Sequence, residues 1–195
     1  MESDFSLQNI ENIIKKELDD HIYSTKLLYE LIPNIYSVSE ILISKLNSNN
    51  KILICGNGGS AADSQHFSSE LIGRFEKSRK SLAAISLCTD TSAITSISND
   101  FSYEEIFSRQ IEGIGSEGDV LIVISTSGKS KNLLKAVNKA KNKGIESIGL
   151  LGRDGGDLIK EVTYAINVSS QRTSRIQEMH SLIIHIICGL IEKSY

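Results

Sequence analysis

The stretch Lys51–Phe75, KILICGNGGSAADSQHFSSELIGRF, decides the fold. Lys51–Cys55 is a short apolar run that suits a strand buried on both faces. Gly56-Asn57-Gly58-Gly59-Ser60 follows, too rich in glycine for a helix interior or a strand. From Ala61 to Phe75 the apolar residues Phe67, Leu71 and Phe75 recur every four residues, which predicts a helix. His66, Glu70 and Arg74 form a second row at the same interval beside them. A strand thus delivers the backbone to a glycine turn, and a helix leaves it carrying an imidazole, a carboxylate and a guanidinium. Free N–H groups at such a helix start favour an anionic ligand. Taken singly, a glycine turn is often only a tight connection, and a His–Glu pair four residues apart is usually a solvated one. The rest of the chain has to supply matching parts.

Outward from this stretch the chain alternates strand and helix. Ser81–Leu87, Asp119–Ile124, Ile145–Leu151 and Val162–Val168 read as four more strands. Between them lie helical patterns at Thr91–Ile97, Tyr103–Ile114 and Asn132–Lys143, the last closed by Gly144 as a C′ residue. Ser98-Asn99-Asp100 reads as a loop. The last helix is expected over about Arg175–Lys193, with Ser174 and Gln177 fitting a capping box, and as buried, because it is apolar nearly all round. Five strands in this alternation predict an α/β fold, a five-stranded parallel sheet covered on both faces. Two helices, residues 7 to about 31 and about Ile35 to Leu46, precede the first strand, with Pro33 breaking the pattern between them. They lie outside the alternation and are expected to cover the sheet or to contact other subunits. At 195 residues one domain over 1–195 accounts for the whole chain, with 1–50 as a helical extension.

Composition excludes several classes. A net charge of −3 offers no basic face for nucleic acid or an anionic membrane, so a phosphate has to be met by local geometry. The start MESDFSLQN is acidic and polar, unlike a signal peptide, and Leu182–Ile191 is too short to span a bilayer. Cys55, Cys88 and Cys188 are widely spaced in apolar segments and read as reduced thiols of a cytoplasmic protein.

Two further clusters carry chemistry. Ser125-Thr126-Ser127-Gly128-Lys129-Ser130 places four hydroxyls between a parallel strand and a helix. Ligands sit beyond the carboxyl ends of such strands, and hydroxyls with a helix N-terminus can hold a phosphate monoester without a basic cluster. In the last helix, His185 stands about two turns after Gln177, and a buried histidine must be paired or liganded. His180 reads as structural.

Together, GNGGSAADSQHFSSELIGRF, SNDFSYEEIFSRQI, STSGKS, GRDGGDL and RTSRIQEMHSLIIH resemble the phosphoheptose isomerases of the sugar-isomerase (SIS) fold, in order and spacing from about residue 50 onward. The resemblance implies a flavodoxin-like αβα sandwich and an aldose–ketose isomerase. That family converts sedoheptulose 7-phosphate to D-glycero-D-manno-heptose 7-phosphate, the first step of bacterial heptose biosynthesis for lipopolysaccharide and capsule. It implies that Asn57, Gly58, Gly59, Ser60, Glu70, Asn99, Asp100 and Gln177 contact substrate, and that Ser125, Thr126, Ser127 and Ser130 hold its phosphate. It implies one zinc ion per subunit on His66, Glu70, Gln177 and His185, and a homotetramer with sites near subunit interfaces. Ser69 departs from members with a second acidic residue there, but it points about 100° away from Glu70 on a helix.

Moving a proton between C1 and C2 through an enediolate needs a base, an acid at the oxygens and charge stabilisation. Glu70 is the better base and His185 the better acid, with the balance between base and metal ligand at Glu70 left open. A rival class is close by. Some SIS proteins that resemble this chain are non-enzymatic scaffolds binding the replication initiator, and they share RIQEMH and the glycine loop. A scaffold has no need of both Glu70 and His185, and here both are present.

Overall fold

The computed structural model describes residues 7–195; the acidic start of the chain lies partly outside them. The described part begins with α1 (Leu7–Leu27), a 3-10 turn (Leu28–Leu31) and α2 (Ile32–Asn47). Pro33 does not separate the helices as expected. It sits in the first turn of α2, where its missing N–H has no intrahelical acceptor to lose. Next come β1 (Ile52–Gly56), α3 (Gly59–Ile72), β2 (Ala84–Ser86), α4 (Thr91–Asp100), a 3-10 turn (Tyr103–Glu105) and α5 (Ile106–Ile114). The chain closes with β3 (Val120–Ser125), α6 (Lys131–Asn142), β4 (Glu146–Gly152), the single turn α7 (Leu158–Glu161), β5 (Tyr164–Val168) and α8 (Thr173–Glu192).

The five strands form one parallel sheet in the order β2-β1-β3-β4-β5, the order of flavodoxin-like folds. Strand alternation splits the core in two. Ile52, Ile54, Ile122 and Ile148 face α2, α3 and α8, where Leu42, Phe67, Leu71, Ile183 and Ile187 meet them. Leu53, Cys55, Leu121 and Val123 face the other side, against Phe107 and Ile111 of α5 and Leu133 and Val137 of α6. Gly144 follows α6 in the left-handed region (φ 70°), as a C′ glycine does.

Several local readings differ. α3 ends at Ile72, so Arg74 and Phe75 leave the helix and Arg74 does not continue the His66–Glu70 row. The stop is Gly73, after which the Arg79 side chain takes the helix's last carbonyls. Asn99 and Asp100 are not a loop but the last turn of α4, which Asp90 caps by accepting the Ala93 N–H at 2.9 Å. Ile94 and Ile97 pack on the core, and that packing outweighs the turn preference of Asn and Asp. The capping box on α8 does not form: the helix starts at Thr173, which puts Ser174 inside its first turn. Nor is α8 covered all round; Ile186 is 38% exposed and His185 only half-buried.

Candidate functional site

In the order β2-β1-β3-β4-β5 the chain leaves β1 on one side and returns as β3 on the other. The carboxyl ends of β1 and β3 therefore border the switch point where such sheets bind ligands. Gly56 pairs with Ile124 across this junction, so the glycine loop and the serine loop leave adjacent strand ends. The glycine loop is tied to the start of α6. The Asn57 amide donates to Asn132 Oδ1 at 3.0 Å and the Asn132 amide returns a bond to Asn57 Oδ1 at 2.8 Å. Tyr103 donates to the same Oδ1 at 2.9 Å. Gly58 takes φ 58°, a conformation that favours glycine, and the Ser60 N–H closes the turn on Asn57 O at 3.1 Å.

In the serine loop, Ser125 Oγ accepts the Gly128 N–H at 3.0 Å and Ser127 Oγ the Lys129 N–H at 3.3 Å. Gly128 (φ 65°) is required twice over, because a Cβ there would meet Gly155 O at 1.9 Å. Serine loop and glycine turn 152–156 thus pack backbone to backbone. Ser130 occupies the N-cap of α6, yet its hydroxyl makes no capping bond.

On the same sheet face, α3 and α8 run side by side, and two rows of side chains meet along their seam. Gly59 lies under Gln177; a Cβ on it would come within 2.3 Å of Gln177 Nε2. One turn on, Ser181 donates to Asp63 Oδ1 at 3.0 Å. Beyond that, His66 Nε2 lies 3.1 Å from Glu70 Oε1 and 3.3 Å from His185 Nε2. Asp63 and Ser181 are absent from the expectations above. The signal was available, since Gln177, Ser181 and His185 recur every four residues. Asp63 Oδ2 is buried without a partner; burial raises the Asp63 carboxyl above the usual range, against the lowering pull of Ser181 and His66.

The structure brings His66, Glu70 and His185 into one chain of contacts and leaves Gln177 two turns away on the same α8 face. Three atoms with lone pairs, two imidazole nitrogens and a carboxylate oxygen, compete for at most a proton or two. Imidazole nitrogen and carboxylate oxygen are donor types that zinc takes. Among the described residues, no group of three or more His, Cys, Asp or Glu stands ready-made to hold a metal ion. Burial, with the Glu70 charge adding to it, pushes the Cys188 thiol up to about 12. Asn99 and Asp100 are exposed and bond to each other at 2.8 Å. His180 is structural: fully buried, it donates from Nε2 to Leu151 O at 2.9 Å.

A parallel sheet whose switch point joins a glycine turn to a serine-rich loop fits the SIS class, and the SIS domain family matches residues 23–152. Within it the chain belongs to the phosphoheptose isomerases. It is 51% identical over 186 residues to the phosphoheptose isomerase of a Nitratiruptor species, covering 95% of this chain and 100% of the relative. Phosphoheptose isomerase 1 of Campylobacter jejuni is 50% identical over 184 residues, covering 94% and 99%. The structure of the phosphoheptose isomerase from Neisseria gonorrhoeae superposes with a TM-score of 0.90 at 39% identity, covering 94% of this chain and 99% of that one. That from Francisella tularensis gives 0.90 at 34% identity, covering 93% and 97%.

Proposed function

We infer that the chain is an aldose–ketose isomerase converting sedoheptulose 7-phosphate to D-glycero-D-manno-heptose 7-phosphate. The observation that carries this reading is the meeting of Glu70, His66 and His185 on the α3–α8 seam, above the switch point that holds the serine loop. The 7-phosphate would lie against Ser125, Thr126, Ser127 and Ser130, with the glycine loop Asn57–Ser60 along the sugar. Glu70 would carry a proton between C1 and C2, while His185 protonates and deprotonates the neighbouring oxygen. Asn99, Asp100 and Gln177 would flank the sugar chain. The scaffold alternative has no support among these relatives.

His66, Glu70, Gln177 and His185 would hold a divalent ion, most simply zinc. Such an ion supplies a Lewis acid for the oxygens on which charge develops. The reading is supported by the competing lone pairs at His66 and His185; Gln177 and His185 would both have to turn along the seam.

The chain would work as a homotetramer. An open apolar groove of about 420 Å³, lined by Leu28, Tyr29, Ile32, Tyr36, Leu182 and Ile186, supports this. So does the exposure of Ile13, Ile14, Leu18 and Ile22 along α1. His185 precedes Ile186 on α8, so sites would lie near the subunit contacts. Among the described residues no helix is long and apolar enough to cross a membrane. A cytoplasmic site of action, and a product that enters lipopolysaccharide or capsule, fit the proposed reaction.

Incubating the purified protein with sedoheptulose 7-phosphate and a divalent metal tests the activity. Appearance of the aldose 7-phosphate supports it; no turnover with any of zinc, manganese or magnesium refutes it.

A further inference from the structure

Behind the seam lies a buried ion pair that none of the roles above uses. Arg79 and Glu192 have side chains only 4% and 5% exposed, with Arg79 Nε 3.8 Å from Glu192 Oε1. The guanidinium spends its other nitrogens on backbone. Nη2 donates to the carbonyl of Glu70 at 2.6 Å, and Nη1 to the carbonyls of Leu71 at 2.8 Å and Lys80 at 2.9 Å. The carboxylate collects three successive N–H groups: Phe75 at 3.2 Å, Glu76 at 3.1 Å and Lys77 at 2.9 Å. Burial works against the Glu192 charge, but those N–H groups and Arg79 hold its carboxyl below the usual range. The segment so pinned sets Phe75 against His185, with ring centroids 5.8 Å apart and planes tilted by 34°. Gly189 lies next to this ring; a Cβ there would be in ordinary contact with it at 3.5 Å.

We propose that Arg79 and Glu192 act as a clasp that positions Glu70 and, through Phe75, His185 for the isomerisation. The inference rests on the isomerase reading. Its physical basis is the helix end. The last carbonyls of a helix have no partner within it, and an uncapped last turn frays. Glu70 sits in that last turn of α3. A fork of donors fixing the Glu70 and Leu71 carbonyls keeps the Glu70 side chain aimed at His66 and His185. Stability alone does not call for such a pair, since apolar residues of similar volume often replace a buried ion pair without loss. Here the pair is bound to the backbone of the proposed base and to the segment that carries the ring set against the proposed acid. Arg79 and Glu192 are therefore positioning residues.

The test compares the full-length wild type with Arg79→Met, Arg79→Lys and Glu192→Gln. Steady-state kinetics on sedoheptulose 7-phosphate are measured beside the NMR signals of the imidazole rings. The clasp predicts that Arg79→Met loses about tenfold or more in kcat, the scale of a small misplacement of catalytic groups. KM should stay within about twofold, because the phosphate cradle lies on other elements. The ring signals of His66 and His185 should shift, and millimolar guanidinium should restore part of kcat. Arg79→Lys keeps the charge but not the fork, and should recover little. Glu192→Gln, which preserves shape and one acceptor oxygen, should lower kcat with the same ring shifts, and it decides the matter if Arg79→Met does not fold. Folded variants with lower melting temperatures but wild-type kcat and unmoved imidazole signals would overturn the proposal. An inactive wild type refutes the isomerase reading instead, and the ring signals then still report on the clasp.

Discussion

Glu70 is asked to do two things that compete. As a base it needs a free lone pair; as a partner of His66 at 3.1 Å it has one engaged. Either role demands the carboxylate, so Glu70→Gln, which keeps size but takes no proton from carbon, is expected to cut kcat by about 10²-fold or more. His185→Asn should do the same by removing the acid. Stopped assays on both variants check this, with circular dichroism to confirm that each folds. Ser127 answers differently. Phosphate looks alike in the ground and transition states, so Ser127→Ala should raise KM for sedoheptulose 7-phosphate more than it lowers kcat. An unchanged KM would place the phosphate elsewhere. His180 speaks of stability alone. Burial lowers its pKa from 6.5 to about 4, only partly offset by the bond to Leu151. The folded protein therefore favours the neutral ring, and this stabilisation is complete above pH 6.5. It is lost as pH falls toward 4, where the unfolded chain binds the extra proton, by about 3 kcal/mol in all. Urea unfolding between pH 7 and 4 should show this slope in the wild type and a shallower one in His180→Asn.

Between α3 and α8 the spacing of one side chain decides how close two helices come. Gly59 has no side chain to offer its row, and Gln177 fills the space above it. Gly59→Ala should displace the Gln177 amide, the flexible end of a side chain, while leaving the backbone in place. The expected outcome is a melting temperature within a few degrees of wild type and a kcat reduced about tenfold, the cost of a shifted contact at the sugar. Full activity in Gly59→Ala would show that Gln177 does not touch substrate. The rows on these two helices were half legible from the sequence. His66 and Glu70 declare themselves by four-residue spacing, and the strands by unbroken apolar runs. Arg74 was misplaced because spacing continues through Gly73, whereas the helix stops there; Arg79 holds the freed carbonyls from a loop, through contacts no periodicity encodes. The same holds for the Asn57–Asn132 pair, whose members are 75 residues apart. Ser174 and Gln177 satisfied a capping pattern, but Gln177 finds its place over Gly59 on another helix. Local preference gave way to tertiary packing at both ends of the site.

At the scale of the whole molecule, the topology places the glycine and serine loops at one end of the sheet and the two leading helices along α8. α1 is moored to the start of α8 by charge: Arg172 meets Glu17 at 2.7 Å and Asp20 at 2.5 Å, and Arg175 donates to the Glu17 carbonyl at 2.6 Å. What this mooring leaves open is apolar. Tyr29, Ile32 and Tyr36 are 73%, 55% and 60% exposed, and with Leu182 and Ile186 they face the same groove. Among the described residues no further element covers that face, and on the proposed homotetramer a second copy would cover it, which fits an apolar periodicity of α8 that runs nearly all round although one chain buries only part of it. Ile186→Glu places a charge in the middle of the groove, where a burial cost of several kcal/mol falls on the assembled state and none on the separate chain. Sedimentation equilibrium is therefore expected to show a tetramer for the wild type and a smaller species for Ile186→Glu, with an unchanged circular dichroism spectrum. Because His185 is the neighbouring residue, activity should fall with the fraction dissociated and return as protein concentration rises. A variant that stays tetrameric would move the subunit contact away from α8, and a monomeric variant with full activity would show that each site is complete within one chain.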